Sequence, residues 1–155
     1  MTTRRSFLQG AGSVVLYFNL APLSAIAQQT GTSELTGSLA ANPGLDSWLS
    51  IEADGAVTLS PGKFELGQGI QTALAQIAAE ELDVAFDSVH VVQVDTASSP
   101  NEAYTNGSRS VEVSGAAVRA AAAEVRVILI GLAADELAVD PSEIRVRNGS
   151  FMVNG

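Results

Sequence analysis

Apolar residues recur at helical spacing in two stretches of the chain. The first stretch is marked by Ile70, Leu74, Ile77, Ala78 and Leu82. This spacing predicts a helix from about residue 70 to residue 82. Residues 113–137 are rich in alanine and apolar nearly all round, which predicts a longer helix that is buried on several faces.

Short segments typical of β-strands lie around these helices. Residues 48–51 and 56–60 predict two strands, and Ala53-Asp54-Gly55 between them supplies a hairpin turn with glycine where positive φ is needed. Residues 89–94 are mostly β-branched and predict a third strand, whereas the polar residues 95–106 predict a long loop.

A second hairpin is expected near the end of the chain, where Asn148-Gly149 separates residues 144–147 from residues 151–153. The order of hairpin, helix, strand, long buried helix and terminal hairpin predicts an α+β fold. Because the chain stops at Gly155, directly after a strand, we expect it to be part of a larger domain and subunit.

The N-terminal segment has the pattern of a twin-arginine signal peptide. Arg4-Arg5 precedes the apolar run 11–21, and Ala25-Ile26-Ala27 provides a small-x-small cleavage site. An uncleaved membrane anchor is the alternative, but the run is short and Pro22 breaks it. We therefore expect export to the periplasm, with cleavage after Ala27.

Three regions follow from these patterns. Residues 1–27 form the predicted signal peptide, residues 28–45 are a predicted linker rich in small and polar residues, and residues 46–155 form the predicted domain. A chain of 155 residues with 46% hydrophobic side chains suffices for one core of ordinary size.

Charge and cysteine content exclude several functions. The formal net charge of −9 makes nucleic acid an unsuitable partner, because phosphate neutralisation requires clustered Lys and Arg. The chain has no cysteine, so it contains no disulfide and no thiolate ligand for an iron-sulfur cluster. Any electron transfer through such a cluster requires another subunit.

The first candidate site is Gly67-Gln68-Gly69, which lies directly before the predicted helix 70–82. A helix start presents free backbone N-H groups and the positive end of the helix dipole, so an anion can bind there. Flanking glycines permit close approach of a ligand, and the Gln68 amide can donate and accept. A tight turn with no ligand remains the alternative.

The second candidate site is the loop from Tyr104 to Ser110, which precedes the long helix. It combines hydroxyls, an amide and a flexible glycine, and these groups can hold a phosphate or a polar ring edge. Capping of the helix by Ser110 or Ser114 is the alternative that requires no ligand.

Together these segments resemble the xanthine dehydrogenase and aldehyde oxidase family, and especially bacterial molybdopterin-binding subunits of the isoquinoline oxidoreductase and nicotinate dehydrogenase type. The segments that carry the resemblance are Gly62-Lys63-Phe64-Glu65-Leu66-Gly67-Gln68-Gly69, which continues to Gln76, together with Asp95-Thr96, Pro100-Asn101 and Tyr104-Thr105-Asn106-Gly107-Ser108-Arg109-Ser110. Asn106 departs from the family, in which a small residue such as alanine is more common.

The resemblance implies a molybdopterin cofactor with molybdenum, of which the cytosine dinucleotide form is one candidate. It assigns cofactor binding to Gly67, Gln68, Gly69, Thr105, Asn106, Gly107, Ser108 and Ser110. No catalytic residue and no direct metal ligand is assigned to this chain. The family hydroxylates N-heterocycles or aldehydes with oxygen from water.

The resemblance also implies partners: the remainder of the large subunit, a separate two-iron two-sulfur subunit and a cytochrome c as a candidate electron acceptor. The isolated chain is expected to be inactive. The competing hypothesis is a non-catalytic exported α+β module for binding or interaction, in which both glycine loops are simple turns.

Overall fold

The structure is a computed structural model that describes residues 36–153. The first hairpin consists of strands β1 (Leu49–Ile51) and β2 (Val57–Leu59), which pair antiparallel with Leu49 opposite Leu59. Gly55 lies in the turn between them with φ of 85°, so the turn chemistry expected from the sequence is confirmed.

A helix links the hairpin to a third strand. Helix α1 (Ile70–Leu82) has the predicted bounds, and it leads to strand β3 (Val89–Val91). Strand β3 pairs parallel with β2, with Val57 opposite Val89. The strand is shorter than the predicted range 89–94, because β2 offers only three residues to pair with.

The long helix begins earlier than predicted and changes its burial along its length. A π-helical turn (Val111–Gly115) runs directly into helix α2 (Ala116–Leu137). Its first half packs into the core through residues such as Val118, which is fully buried. The prediction of burial on several faces is wrong for much of the second half, where Val127 is 62% and Leu132 is 40% exposed.

The hydrophobic core lies between the three-stranded sheet and the two helices. Its largest fully buried side chains are Trp48, Leu59, Leu74, Val57 and Val118. The Trp48 indole donates a hydrogen bond of 2.8 Å to the carbonyl oxygen of Asn42. Leu39 also belongs to this core, so part of the predicted linker packs against the domain.

The second hairpin pairs strands β4 (Ile144–Arg147) and β5 (Ser150–Val153) around a turn at Asn148 and Gly149, as predicted. It contacts the end of α1, since the amide of Asn148 donates to Oδ1 of Asp83 at 3.2 Å. Together these elements confirm a mixed α+β fold.

Two sequence predictions concern the N-terminal part of the chain. The predicted signal peptide, with its paired arginines and cleavage site, and most of the predicted linker lie outside the described residues. Within residues 36–153, no helix has the length and apolar character needed to cross a membrane.

Candidate functional site

The two candidate loops lie side by side. The backbone amide of Phe64 donates a hydrogen bond of 2.8 Å to Oγ1 of Thr105, although the two residues are 41 positions apart in the sequence. The first loop connects β2 to α1, and the second leads into α2. The structure therefore brings together the two segments that the sequence singled out separately.

A carboxylate occupies the start of helix α1. Glu65 accepts hydrogen bonds from the amides of Gly67 at 2.7 Å, Gly69 at 3.0 Å and Gln71 at 3.1 Å. The bonds from Gly69 and Gln71 contribute most to holding the pKa of the Glu65 carboxyl below its usual value of 4.5. The amides of Gly67, Gly69 and Gln71 are therefore bonded to Glu65 in this structure rather than free.

Glu65 is a functional residue of this loop that the sequence pattern did not predict. The signal that could have found it is an acidic side chain shortly before a helix start, where carboxylates are stabilised by amides and by the helix dipole.

The Gln68 side chain folds back onto its own loop. Its Nε2 donates to the carbonyl oxygen of Phe64 at 2.9 Å, and its Oε1 accepts from the amide of Leu66 at 2.5 Å. Gly67 and Gly69 are exposed with positive φ, and no atom lies within 4 Å of a Cβ built on either residue. The backbone of the first loop is thus exposed at its glycines. The side chains of Glu65 and Gln68 make their hydrogen bonds within the loop itself.

The second loop keeps three of its polar side chains available, whereas the Thr105 hydroxyl accepts from Phe64 and Arg109 pairs with Glu112. Gly107 and Ser108 both have positive φ, of 63° and 55°, in a turn in which the Asn106 carbonyl oxygen accepts from the Arg109 amide at 3.5 Å. Among the described residues, the side chains of Asn106, Ser108 and Ser110 have no hydrogen-bond partner. These donors face no competitor within the loop.

Capping does not explain the serines of this region. Ser110 makes no side-chain cap. Ser114 is fully buried and donates instead to Oε2 of Glu102 at 2.8 Å. The alternative in which these hydroxyls serve only as helix caps is therefore wrong.

A buried polar cluster lies directly behind both loops, and sequence reasoning missed it. Lys63 is 6% and Glu102 is 7% exposed. Lys63 Nζ donates to the carbonyl oxygens of Glu102 at 2.6 Å and Tyr104 at 3.1 Å. Lys63 is the sole lysine among the 155 residues, which is the signal that could have drawn attention to it.

The donors of the second loop fit a polar cofactor with an anionic tail. Hydroxyl, amide and backbone N-H groups suit phosphate and heterocycle edges. Phe64 and Tyr104, 47% and 84% exposed, add aromatic surface beside them. The buried Oε1 of Glu102 has no hydrogen-bond partner among the residues that the structure describes. Within residues 36–153, no group of three or more acidic or histidine side chains is placed to hold a metal ion.

Comparison with known proteins agrees with this chemistry. A family model described as a molybdopterin cofactor-binding domain matches residues 10–155. The nicotinate dehydrogenase of Pseudomonas putida has a subunit that is 38% identical over 107 residues, which is 69% of this chain and 9% of that protein. The beta subunit of isoquinoline 1-oxidoreductase from Brevundimonas diminuta is 32% identical over 95% of this chain and 19% of its own length.

Solved structures give the same result at the level of the fold. A copper- and molybdenum-containing CO dehydrogenase superposes with a TM-score of 0.63 and 32% identity, covering 69% of this chain and 14% of that chain. Quinoline 2-oxidoreductase from Pseudomonas putida 86 has a TM-score of 0.60 and 28% identity, covering 68% of this chain and 13% of that chain. The resemblance carried by the two loops is confirmed, and the chain belongs to the molybdopterin cofactor-binding domain family.

Proposed function

We propose that this chain forms part of the wall of a molybdopterin site in a molybdenum hydroxylase that oxidises N-heterocycles or aldehydes. The observation that carries the proposal is the Phe64 to Thr105 hydrogen bond of 2.8 Å, which joins the two loops into one surface. Relatives named for nicotinate, isoquinoline and aldehyde oxidation support the substrate class. The chain spans only 9% of the nicotinate dehydrogenase subunit and 19% of the isoquinoline 1-oxidoreductase subunit, so in this proposal the reaction also uses residues outside it.

In this proposal the two loops have different roles. Ser108, Ser110 and Asn106 donate hydrogen bonds to the cofactor, and the proposal is supported by the lack of any hydrogen-bond partner for these side chains within residues 36–153. Gly67 and Gly69 permit close approach, and Gln68 fixes the shape of the first loop while its outer face contacts the ligand. When bound, the cofactor supplies a molybdenum centre that accepts the two electrons of substrate oxidation.

Ser108→Ala in the complete enzyme tests the proposal. Loss of one hydrogen bond to a charged ligand is expected to weaken cofactor affinity about ten- to a hundredfold. The melting temperature of the cofactor-free form should not change, because the hydroxyl has no hydrogen-bond partner in the described part of the chain. Molybdenum and pterin content per folded protein is the measurement, and Ser50→Ala, an exposed serine on β1, is the control. Full cofactor content in Ser108→Ala would contradict the assignment.

Partners and the form of the cofactor are part of the same proposal. Because the chain has no cysteine, a two-iron two-sulfur cluster would be held by another subunit, which passes electrons to a cytochrome c or a similar acceptor. The nicotinate and isoquinoline relatives are each named as one subunit of their enzyme, which supports a multi-subunit assembly. Mass spectrometry of co-purifying subunits and of the nucleotide released from the cofactor tests the subunit composition and the cytosine dinucleotide form.

Periplasmic location through the twin-arginine route is a further part of the proposal, supported by Arg4-Arg5 and Ala25-Ile26-Ala27. Changing both arginines to lysine is expected to leave the precursor in the cytoplasm, as measured by fractionation and immunoblotting. Normal periplasmic accumulation of the double variant would contradict this export route.

The non-catalytic module is the competing function. The match of the family model over residues 10–155 and the donor-rich second loop favour cofactor binding. A complete enzyme that is purified without molybdenum and pterin would favour the module instead.

A further inference from the structure

Three buried polar side chains behind the candidate loops take part in four hydrogen bonds, of which three reach the backbone and one joins Ser114 to Glu102. Lys63 Nζ donates to the carbonyl oxygens of Glu102 and Tyr104. Glu102 Oε2 accepts from the Gly62 amide at 2.7 Å and from Ser114 Oγ at 2.8 Å. We call Lys63, Glu102 and Ser114 the polar brace, because these bonds tie together the entries of both loops and the π-helical turn before α2.

The brace holds a strained stretch of the second loop. Ala103 has φ of 55°, a left-handed conformation that a residue with a Cβ adopts only when its surroundings impose it. The two carbonyl groups that Lys63 binds belong to the residues on either side of Ala103. The lysine therefore fixes the backbone at this strained residue.

The backbone conformation of Ala103 sets the direction of the chain that follows it. Thr105 follows two positions later and accepts the Phe64 amide, and the turn at Gly107 and Ser108 comes directly after it. Since hydrogen bonds from a buried charged donor such as the Lys63 ammonium are strong, a fixed backbone at Ala103 fixes the position of Thr105. The donors at 106–108 are then held at one distance from the first loop.

We propose that the polar brace consists of positioning residues that hold the two cofactor loops in binding geometry, with Lys63 acting through the backbone on both sides of Ala103. The inference rests on the proposed cofactor-binding function and adds residues that do not contact the cofactor in that proposal. Its energetic basis is that preorganised loops bind a ligand without losing further conformational freedom.

Cofactor retention in the complete enzyme is the first measurement. Lys63→Met, Glu102→Gln and Ser114→Ala are each expected to lower molybdopterin content, and about a tenfold loss of affinity corresponds to one lost charge-assisted hydrogen bond. The matched control is Asp140→Asn, because Asp140 Oδ1 also accepts from a serine hydroxyl, that of Ser142 at 2.6 Å, in the segment before β4. This control should retain full cofactor.

A rescue experiment separates positioning from a purely structural role. Glycine adopts positive φ without strain. The backbone of Ala103→Gly should therefore keep its conformation with less stabilisation from Lys63. In the Lys63→Met background, Ala103→Gly is expected to restore part of the lost cofactor content. The cofactor-free melting temperature of each variant shows whether loss of cofactor merely follows loss of stability.

Amine acylation gives a readout that needs no cofactor. Lys63 carries the one side-chain amine of the chain, and acetic anhydride reacts with it only when the brace opens. Glu102→Gln and Ser114→Ala should each raise Lys63 acetylation several-fold, measured by mass spectrometry of its peptide, whereas Asp140→Asn should not.

Distinct outcomes overturn the positioning role and the proposed function. Unchanged Lys63 acetylation in Glu102→Gln, or a cofactor loss in Lys63→Met that Ala103→Gly does not relieve, would overturn the positioning role while the proposed function stands. A wild-type enzyme without molybdopterin would overturn the proposed function, and the inference with it.

Discussion

A methyl group on the Cα of Gly62 would overlap the carbonyl oxygen of Pro100 and lie 2.8 Å from Cγ of Glu102. The amide of Gly62 also donates to the Glu102 carboxylate at 2.7 Å. Close packing of two backbones therefore requires glycine here. The contact sits behind both candidate loops, so it limits their separation.

Gly62→Ala is expected to destabilise the protein by about 1 to 3 kcal/mol, the usual cost of overpacking a tight site. The matched control is Gly131→Ala in α2, since no atom lies within 4 Å of a Cβ at that position. This control should be neutral or stabilise by up to about 1 kcal/mol, because alanine favours the helix. The denaturant midpoint of each variant measures its stability. Equal midpoints for Gly62→Ala and Gly131→Ala would contradict the close contact at Gly62.

The carboxylate at the start of α1 predicts a pH dependence. Because the folded pKa of Glu65 lies below its usual value of 4.5, its contribution to stability is present above that value and is lost as the pH falls through the folded pKa. Wild type should therefore exceed Glu65→Gln in stability at neutral pH, and the difference should shrink below pH 4.5.

Thermal unfolding of both proteins across the pH range tests this prediction, because the contributions of other carboxyl groups cancel in the difference. A stability difference that stays constant from neutral to acid pH would show that the charge of Glu65 is unimportant.

The exposed part of α2 predicts self-association of the isolated chain. Val127 and Leu132 are 62% and 40% exposed, and we expect their removal from water on association to be favourable. Val127→Glu with Leu132→Glu should shift the chain toward monomer in light scattering after size exclusion. Thr72→Glu with Gln76→Glu adds the same charge to exposed positions on α1 and should have a smaller effect. A monomeric wild-type chain would contradict the prediction.

Much of the local structure could be predicted from the sequence. The periodicity of residues 70–82 gave the bounds of α1, and Asn148-Gly149 gave the second hairpin, because spacing and turn chemistry act over a few neighbouring residues. The order of both loops around α1 also sufficed to recognise the family. The length of β3 could not be predicted, since a strand extends only as far as its partner.

The candidate site was also predicted in part from the sequence and in part only from the structure. The sequence by itself determined which segments carry glycines, hydroxyls and amides, because these are properties of single residues and short motifs. Only the tertiary structure decided that Phe64 meets Thr105, that Glu65 takes the amides of the first loop, and that Lys63 is buried. These contacts depend on how β2, α1 and α2 pack, and packing joins residues that no local pattern connects.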